Sequence, residues 1–204
     1  MTTPHIAYFG YGSLVNLATL QTPYIAAFPA TLKGWRRVWL ARPAVAGSFA
    51  PSDGLAFLSA ERAENSEIDG VLVIDEAASL AALDEREALY DRVDIEAAAL
   101  TLHGSATALA PGTPQFLYMA KPFASSGPDN PHILRSYLDA VSQGYLGHFG
   151  QEGLERFIST TRNFHYPFRE DRAQPIYPRP ITLLEDEREV IDRAFPQTSG
   201  SAVR

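Results

Sequence analysis

The order of two hydrophobic patterns along the chain is the feature that most limits its fold. Up to about residue 120, short runs rich in Val, Ile, Phe, Tyr and Trp are separated by Gly, Pro and Asp, at the spacing of a small barrel or sandwich. After about residue 130, hydrophobic residues recur at helical spacing instead. Because strands come first and helices follow, the sequence predicts an α+β fold on an antiparallel or mixed sheet. The predicted strands are 5–9, 32–41, 54–59, 68–74, 90–102, 106–110 and 115–120.

Capping residues mark the predicted helices. Asp75 is a suitable N-cap because its carboxylate can accept the free amide protons of a first turn, which predicts a helix from Asp75 to about Glu87. Asn130 and Pro131 are typical of the cap and first position of a later helix. The sequence TLLE at 182–185 fits a capping box. Helices are therefore also expected from 131 to 144 or 147, at 154–158 and at 182–195.

Length and composition fit one domain and exclude several classes of protein. The 204 residues, 46% of them hydrophobic, suffice for one core, which excludes disordered and collagen-like chains. We expect a single domain over 1–195, helical from about residue 130, and a flexible tail at 196–204. The formal net charge of −7 has the wrong sign for a nucleic-acid partner.

The chain contains no cysteine, which excludes disulfides, thiolate metal sites and a cysteine nucleophile. This composition agrees with a reducing compartment, and no apolar run approaches the roughly 18 residues that a membrane helix needs. We therefore expect a cytoplasmic protein with no membrane partner. The five histidines show no metal-ligand spacing, so no metal site is expected. No oligomeric state is predicted.

The segment FGYGSL at 9–14 directly follows an apolar predicted strand. Glycines on both sides of Tyr11 permit backbone angles closed to other residues and let a ligand approach main-chain amides, which favours a pocket for an anion or oxyanion. The alternative is a purely structural glycine-rich turn. The third glycine of a dinucleotide fingerprint is absent, as is the Gly-Lys-Ser/Thr of a phosphate loop.

A second candidate is Glu87, in the segment LAALDEREALY at 80–90. If the predicted helix continues to Glu87, this residue shares a face with Leu80 and Leu83, while Asp84, Glu85 and Arg86 point elsewhere. Apolar neighbours would raise the pKa of the carboxyl toward the range useful for proton transfer. The alternative is that Glu87 only pairs with an arginine at the end of a surface helix.

Taken together, these motifs resemble the γ-glutamylcyclotransferase superfamily. The resemblance rests on YGSL at 11–14, followed by LDERE at 83–87 and Tyr90 before a strand, and covers roughly residues 5–120. The segment GWRRV at 34–38 is similar to the ChaC-like branch that acts on glutathione. The resemblance implies a small mixed or antiparallel β-barrel with flanking helices.

The resemblance also implies a reaction and a set of site residues. In the family, the α-amine of a γ-glutamyl compound attacks its own γ-carbonyl and releases 5-oxoproline, with no cofactor. Glu87 corresponds to the family's catalytic acid and base. The positions that correspond to substrate-binding residues are Tyr11, Gly12, Ser13, Leu14 and Tyr118. The implied partner is a small γ-glutamyl substrate, whose leaving group can be cysteinylglycine, an amino acid or an amine.

Two further alternatives remain open. The same barrel could belong to a non-catalytic small-molecule binding protein or to a regulatory protein.

Arg172 and Arg179, in a proline-rich segment, either clamp a substrate carboxylate or pin that segment to an acidic neighbour.

Overall fold

The computed structural model describes residues 4–20, 22–41, 54–104, 109–122 and 130–195. Its strands are β1 (His5–Gly10), β2 (Ala26–Ala41), β3 (Ala56–Glu76), β4 (Tyr90–Asp94), β5 (Leu100–Leu102), β6 (Gln115–Ala120), β7 (Ile133–Leu134) and β8 (Phe168–Arg169). Its helices are α1 (Leu80–Arg86), α2 (Arg135–Thr160) and α3 (Glu185–Ala194), with short 3-10 turns at Ser13–Val15, Leu17–Thr19, Ala77–Ser79 and Ala97–Ala99.

Six strands form one mixed sheet in the order β4-β6-β1-β3-β2-β5. The β1 and β6 strands run parallel, and the other neighbouring pairs are antiparallel. The predicted α+β class is therefore confirmed, but the sheet is not closed into the expected barrel. The predicted strand 90–102 is in fact two strands separated by the 3-10 turn Ala97–Ala99, and they form the two opposite edges of the sheet.

A long β2/β3 pair forms one half of this sheet. The register runs from Ala26 opposite Ile74 to Ala41 opposite Ala56, with a shift next to Gly34, whose φ of 80° suits glycine. The predicted strands 54–59 and 68–74 are thus parts of one strand, β3. The predicted strand 106–110 overlaps residues 105–108, which lie outside the described ranges, as does the predicted tail.

The helix starts differ from those expected. Asp75 lies within β3, and its carboxylate accepts hydrogen bonds from the Glu76 amide (2.7 Å) and the Ser79 hydroxyl (3.0 Å), so it caps the strand-to-helix turn before α1. Helix α2 starts after the short strand β7, because residues 133–134 pair with β8. The two helices predicted between 131 and 158 form this one element, which kinks at Gly150 (φ 64°).

The N-cap of helix α3 lies two residues later than Thr182 of the predicted capping box. This N-cap is Leu184, whose backbone amide donates to the Glu187 carboxylate at 2.9 Å. Among the described helices, none is long and apolar enough to cross a membrane.

Helix α2 packs against the first 3-10 turn and so fixes the chain that follows β1. A Cβ added at Gly144 would lie 2.8 Å from the Asn16 backbone nitrogen, which shows how closely the two segments approach. The Asn16 amide group donates to the Ala140 carbonyl at 2.9 Å. This contact places the end of β1 beside the helical half of the molecule.

Candidate functional site

A cavity of about 350 Å³ lies between the sheet and the helical half of the molecule. This volume falls within the range of small-molecule sites. The lining residues are those of the turn after β1 (11–14), the start of β3 (55–58), the end of α1 and the residues after it (86–90), Leu134, Tyr137, and the C-terminal segment 176–179. The structure thus brings Glu87 and the predicted turn 11–14 into one cavity.

The glycines of the turn provide space for close packing. Gly12 has φ −116° and ψ −130°, which is neither helical nor extended, and a Cβ there would lie 2.9 Å from the Tyr137 hydroxyl oxygen. A Cβ at Gly10 would lie 2.7 Å from the Leu14 Cβ. The glycines are needed because the turn packs tightly against itself and against α2.

Tyr11 is buried, and its hydroxyl donates a hydrogen bond to the backbone carbonyl of Tyr118 on β6. The carbonyl of Tyr11 accepts a hydrogen bond from the Tyr145 hydroxyl at 2.9 Å. Burial raises the pKa of the Tyr11 hydroxyl, so it stays protonated and remains a donor. The turn is thus anchored to the sheet on one side and to α2 on the other.

Tyr118 itself does not line this cavity. Its hydroxyl donates to the Asp84 carboxylate at 2.7 Å, and Asp84 also pairs with Arg92 at 3.1 Å. The contribution of Tyr118 to the cavity is its backbone carbonyl, which holds Tyr11 in place.

Glu87 lies directly after the last residue of α1, and its amide donates to the Leu83 carbonyl at 3.0 Å. Its side chain is only 11% exposed. Burial raises the pKa of the Glu87 carboxyl, although the positive charges of Arg86 and Arg179 act in the opposite direction. A carboxyl in this state can hold or release a proton closer to neutral pH than one in water.

Arg86 contacts Glu87, contrary to the expectation that it would point away from that side chain. Its Nε lies 3.1 Å from the Glu87 carboxylate, and its Nη1 donates to the Thr19 carbonyl at 2.8 Å. The expected orientation of Arg86 assumed a helix that continues to Glu87, but the helix ends at Arg86. Glu87 therefore pairs with an arginine, as the structural alternative supposed, but does so inside the cavity.

The two arginines of the proline-rich segment have different roles. Arg172 binds both carboxylate oxygens of Asp139 at 2.7 Å and the Asp192 carboxylate at 2.8 Å, so it ties the segment to α2 and α3. Arg179 lines the cavity instead, where its Nε donates to the Tyr177 hydroxyl at 3.3 Å.

Sequence reasoning assigned no site role to Tyr137 or Tyr177. Their rings meet edge to face at a centroid distance of 5.0 Å and form one wall of the cavity. The Tyr137 hydroxyl lies against the turn, where a Cβ added at Gly12 would be 2.9 Å from its oxygen, and burial raises its pKa. Helical spacing places Tyr137 on the buried face of a helix. A buried tyrosine hydroxyl also needs a polar partner, and this requirement is the signal in the sequence that Tyr137 lies beside polar groups.

The cavity therefore combines a buried carboxylate, two guanidinium groups and a main-chain turn. These groups suit proton transfer on a small polar molecule that carries negative charge. Within the described ranges, no cluster of three or more His, Asp or Glu side chains could hold a metal ion.

Comparison with known proteins shows similarity in structure but not in sequence. No known protein-family profile matches the chain, and the curated proteins include no significant match. A solved structure named γ-glutamyl cyclotransferase is 16% identical, with a TM-score of 0.57, over 93% of this chain and 99% of its own. The uncharacterized protein loc79017 from Homo sapiens is 15% identical, with a TM-score of 0.54, over 92% and 98%.

YkqA from Bacillus subtilis is 16% identical, with a TM-score of 0.52, over 74% of this chain and 52% of its own. These likenesses identify the class of architecture: the chain shares the fold of the solved γ-glutamyl cyclotransferase structure, as the resemblance of its motifs implied.

Proposed function

We propose that this protein is a γ-glutamyl cyclotransferase, which releases 5-oxoproline from a small γ-glutamyl compound. The observation that carries the proposal is the presence of Glu87 and the turn 11–14 in one cavity. The fold shared with a γ-glutamyl cyclotransferase structure supports it.

In the proposed reaction the substrate supplies its own nucleophile. The α-amine attacks the γ-carbonyl carbon, a new carbon–nitrogen bond closes the five-membered ring, and the original amide bond breaks. Glu87 accepts one proton from the α-ammonium, which frees the amine to attack, and delivers that proton to the departing nitrogen. The attacking nitrogen loses its second proton to water as the lactam N–H forms, and the released amine takes up one proton from water. Holding the amine and the carbonyl within attack distance can contribute about 7–11 kcal/mol.

The surroundings of Glu87 suit this proton transfer. Burial raises its pKa, which makes the carboxylate a stronger base and the carboxylic acid available nearer neutral pH. The ion pair with Arg86 holds the carboxylate in position, and Arg86 is itself fixed by Thr19. Backbone amides of the turn 11–14 would stabilise the oxyanion, and a donor of this kind contributes about 2.7–4 kcal/mol in comparable sites.

The proposal is tested with Glu87→Gln, which keeps the shape of the side chain but cannot accept the proton. We expect the rate of 5-oxoproline release to fall by about 100- to 10,000-fold. The substrates are γ-glutamyl amino acids, glutathione and γ-glutamyl amines, and mass spectrometry detects the product. The matched control is Glu85→Gln, two residues away, exposed and outside the cavity, which should keep wild-type activity.

Two outcomes would contradict the proposal. Near wild-type turnover by Glu87→Gln would remove Glu87 from the reaction. Stabilisation of the wild-type protein by γ-glutamyl ligands in thermal denaturation, with no 5-oxoproline from any of them, would indicate the non-catalytic binding protein instead.

A further inference from the structure

The charges that line the cavity do not balance. Its cationic side chains are Arg86 and Arg179, and its anionic side chain is Glu87. This excess of one positive charge occurs in a protein whose formal net charge is −7. A partly buried site with an uncompensated cation favours a ligand that brings its own negative charge.

The surplus charge belongs to Arg179. Arg86 already pairs with Glu87 and with the Thr19 carbonyl. Arg179, by contrast, forms no ion pair within the described part of the chain, and its one hydrogen bond there goes to the Tyr177 hydroxyl. Its guanidinium carbon lies 5.4 Å from the centroid of the Tyr177 ring. The side chain is thus half-buried, held beside an aromatic ring and still able to bind a carboxylate.

The segment that carries Arg179 is anchored on its N-terminal side. Asp171 accepts hydrogen bonds from the Ser136 amide (2.8 Å) and the Ile176 amide (2.9 Å), which ties the segment to the start of α2. The bidentate pair between Arg172 and Asp139 adds a second attachment. Arg179 is therefore presented from a constrained segment, which lowers the entropy lost when it binds a ligand.

Arg179 and the turn 11–14 contact opposite members of the tyrosine pair in the cavity wall. The Tyr137 hydroxyl lies against Gly12 of the turn, Tyr177 packs against Tyr137, and Arg179 lies against Tyr177. The guanidinium therefore enters the cavity at the Tyr177 end of this wall, and the turn, where the γ-glutamyl group is proposed to bind, at the Tyr137 end. Glu87 lines the same cavity, where burial raises its pKa and the positive charge of Arg179 acts in the opposite direction.

In a γ-glutamyl amino acid, the carboxylate of the departing amino acid is two bonds from the amide nitrogen. That nitrogen must lie beside Glu87 to receive its proton. A cation in the same cavity as Glu87, at the opposite end of the tyrosine pair from the turn, is therefore placed for this carboxylate.

We propose that Arg179 binds the carboxylate of the departing amino acid and so selects γ-glutamyl α-amino acids over γ-glutamyl amines. This inference rests on the proposed function. A guanidinium can bind both carboxylate oxygens at once, which gives direction as well as attraction.

The test compares γ-glutamyl-alanine with γ-glutamyl-ethylamine, which differ only by the carboxylate on the leaving group. Wild type is expected to prefer γ-glutamyl-alanine. Arg179→Gln should lower the ratio of kcat/KM for γ-glutamyl-alanine to kcat/KM for γ-glutamyl-ethylamine by about 10- to 100-fold, the usual effect of losing a hydrogen bond to a charged group. The ratio is the readout because a change in the charge near Glu87 acts on both substrates alike. Arg179→Lys, which keeps the charge but not the fork, should fall between Arg179→Gln and wild type.

Arg188→Gln is the control, because Arg188 is 56% exposed on α3 and outside the cavity. It should change neither substrate. An equal loss for both substrates in Arg179→Gln, or no loss for either, would overturn the role of Arg179 while leaving the cyclotransferase proposal intact. If wild type released 5-oxoproline from neither substrate nor from glutathione, the proposed function would fail, and this inference with it.

Discussion

The substitution Tyr145→Phe removes one hydroxyl group from the network that holds the turn 11–14. Tyr145 is fully buried on α2, and its hydroxyl lies 2.9 Å from the carbonyl oxygens of both Tyr11 and Asp69. The same hydroxyl accepts a hydrogen bond from Nη1 of Arg37 at 2.9 Å. Burial raises the pKa of Tyr145 to about 12, so the hydroxyl keeps its proton at ordinary assay pH.

The expected loss of stability follows from these contacts. The ring remains stacked on Phe157 at 4.6 Å, so packing is preserved and only polar contacts disappear. Arg37 is 1% exposed and keeps its hydrogen bonds to the Asp69 carbonyl and to Thr161. The loss is therefore one charged and one neutral hydrogen bond, about 2–3 kcal/mol. For a domain of this size that corresponds to a decrease in Tm of about 4–12 °C.

Differential scanning calorimetry measures this decrease. The control is Tyr24→Phe, because Tyr24 is 39% exposed and its hydroxyl is not part of this network. If Tyr145→Phe melted as close to wild type as Tyr24→Phe does, the network would not be what holds the turn. Because the Tyr11 carbonyl loses a donor, we also expect a higher KM for γ-glutamyl substrates.

Two further predictions concern Gly70 and Glu87. A Cβ at Gly70 would lie 2.3 Å from the Gly10 carbonyl oxygen. Gly70→Ala should therefore lower the free energy of unfolding, measured by urea denaturation, by about 3 kcal/mol or more. Gly147→Ala should not destabilise the protein, because a Cβ there has no heavy atom within 4 Å. Because folding raises the pKa of Glu87, the stability linked to this carboxyl is present below its unfolded pKa and is lost as pH rises through its folded pKa. The Tm of Glu87→Gln should therefore rise relative to wild type from acidic to neutral pH, and a constant or falling difference would contradict the burial effect.

The parts of the fold that depend on local pattern could be predicted from the sequence. The strand β6 has the predicted bounds, because its apolar run is flanked by turn residues. Whether the sheet closes into a barrel could not be predicted from local pattern, because closure depends on which distant strands pair. A 3-10 turn of three alanines at 97–99 sends β4 and β5 to opposite edges, and alanine carries little indication of such a turn.

The same distinction applies to the site. The turn 11–14 and Glu87 could be found because they lie in short motifs with a chemical rationale. Arg37 alternates with Trp35 and Trp39 at a spacing of two, which puts the three side chains on one face of β2, and the structure buries all three. A charged side chain on an apolar face indicates a buried polar network, but its partners, Thr161 and Tyr145, are more than a hundred residues away. Sequence alone could not supply those partners.

Local environment also separates the three carboxylates near the end of α1. Asp84 pairs with Tyr118 and Arg92 at the surface, and Glu85 is exposed, so neither faces the cavity. Only Glu87 follows the last helical residue, where the chain turns toward β4 and carries its side chain into the cavity beside Arg86. Burial in the cavity is therefore what distinguishes Glu87 from its two neighbours: it raises the pKa of this carboxyl and suits it to proton transfer.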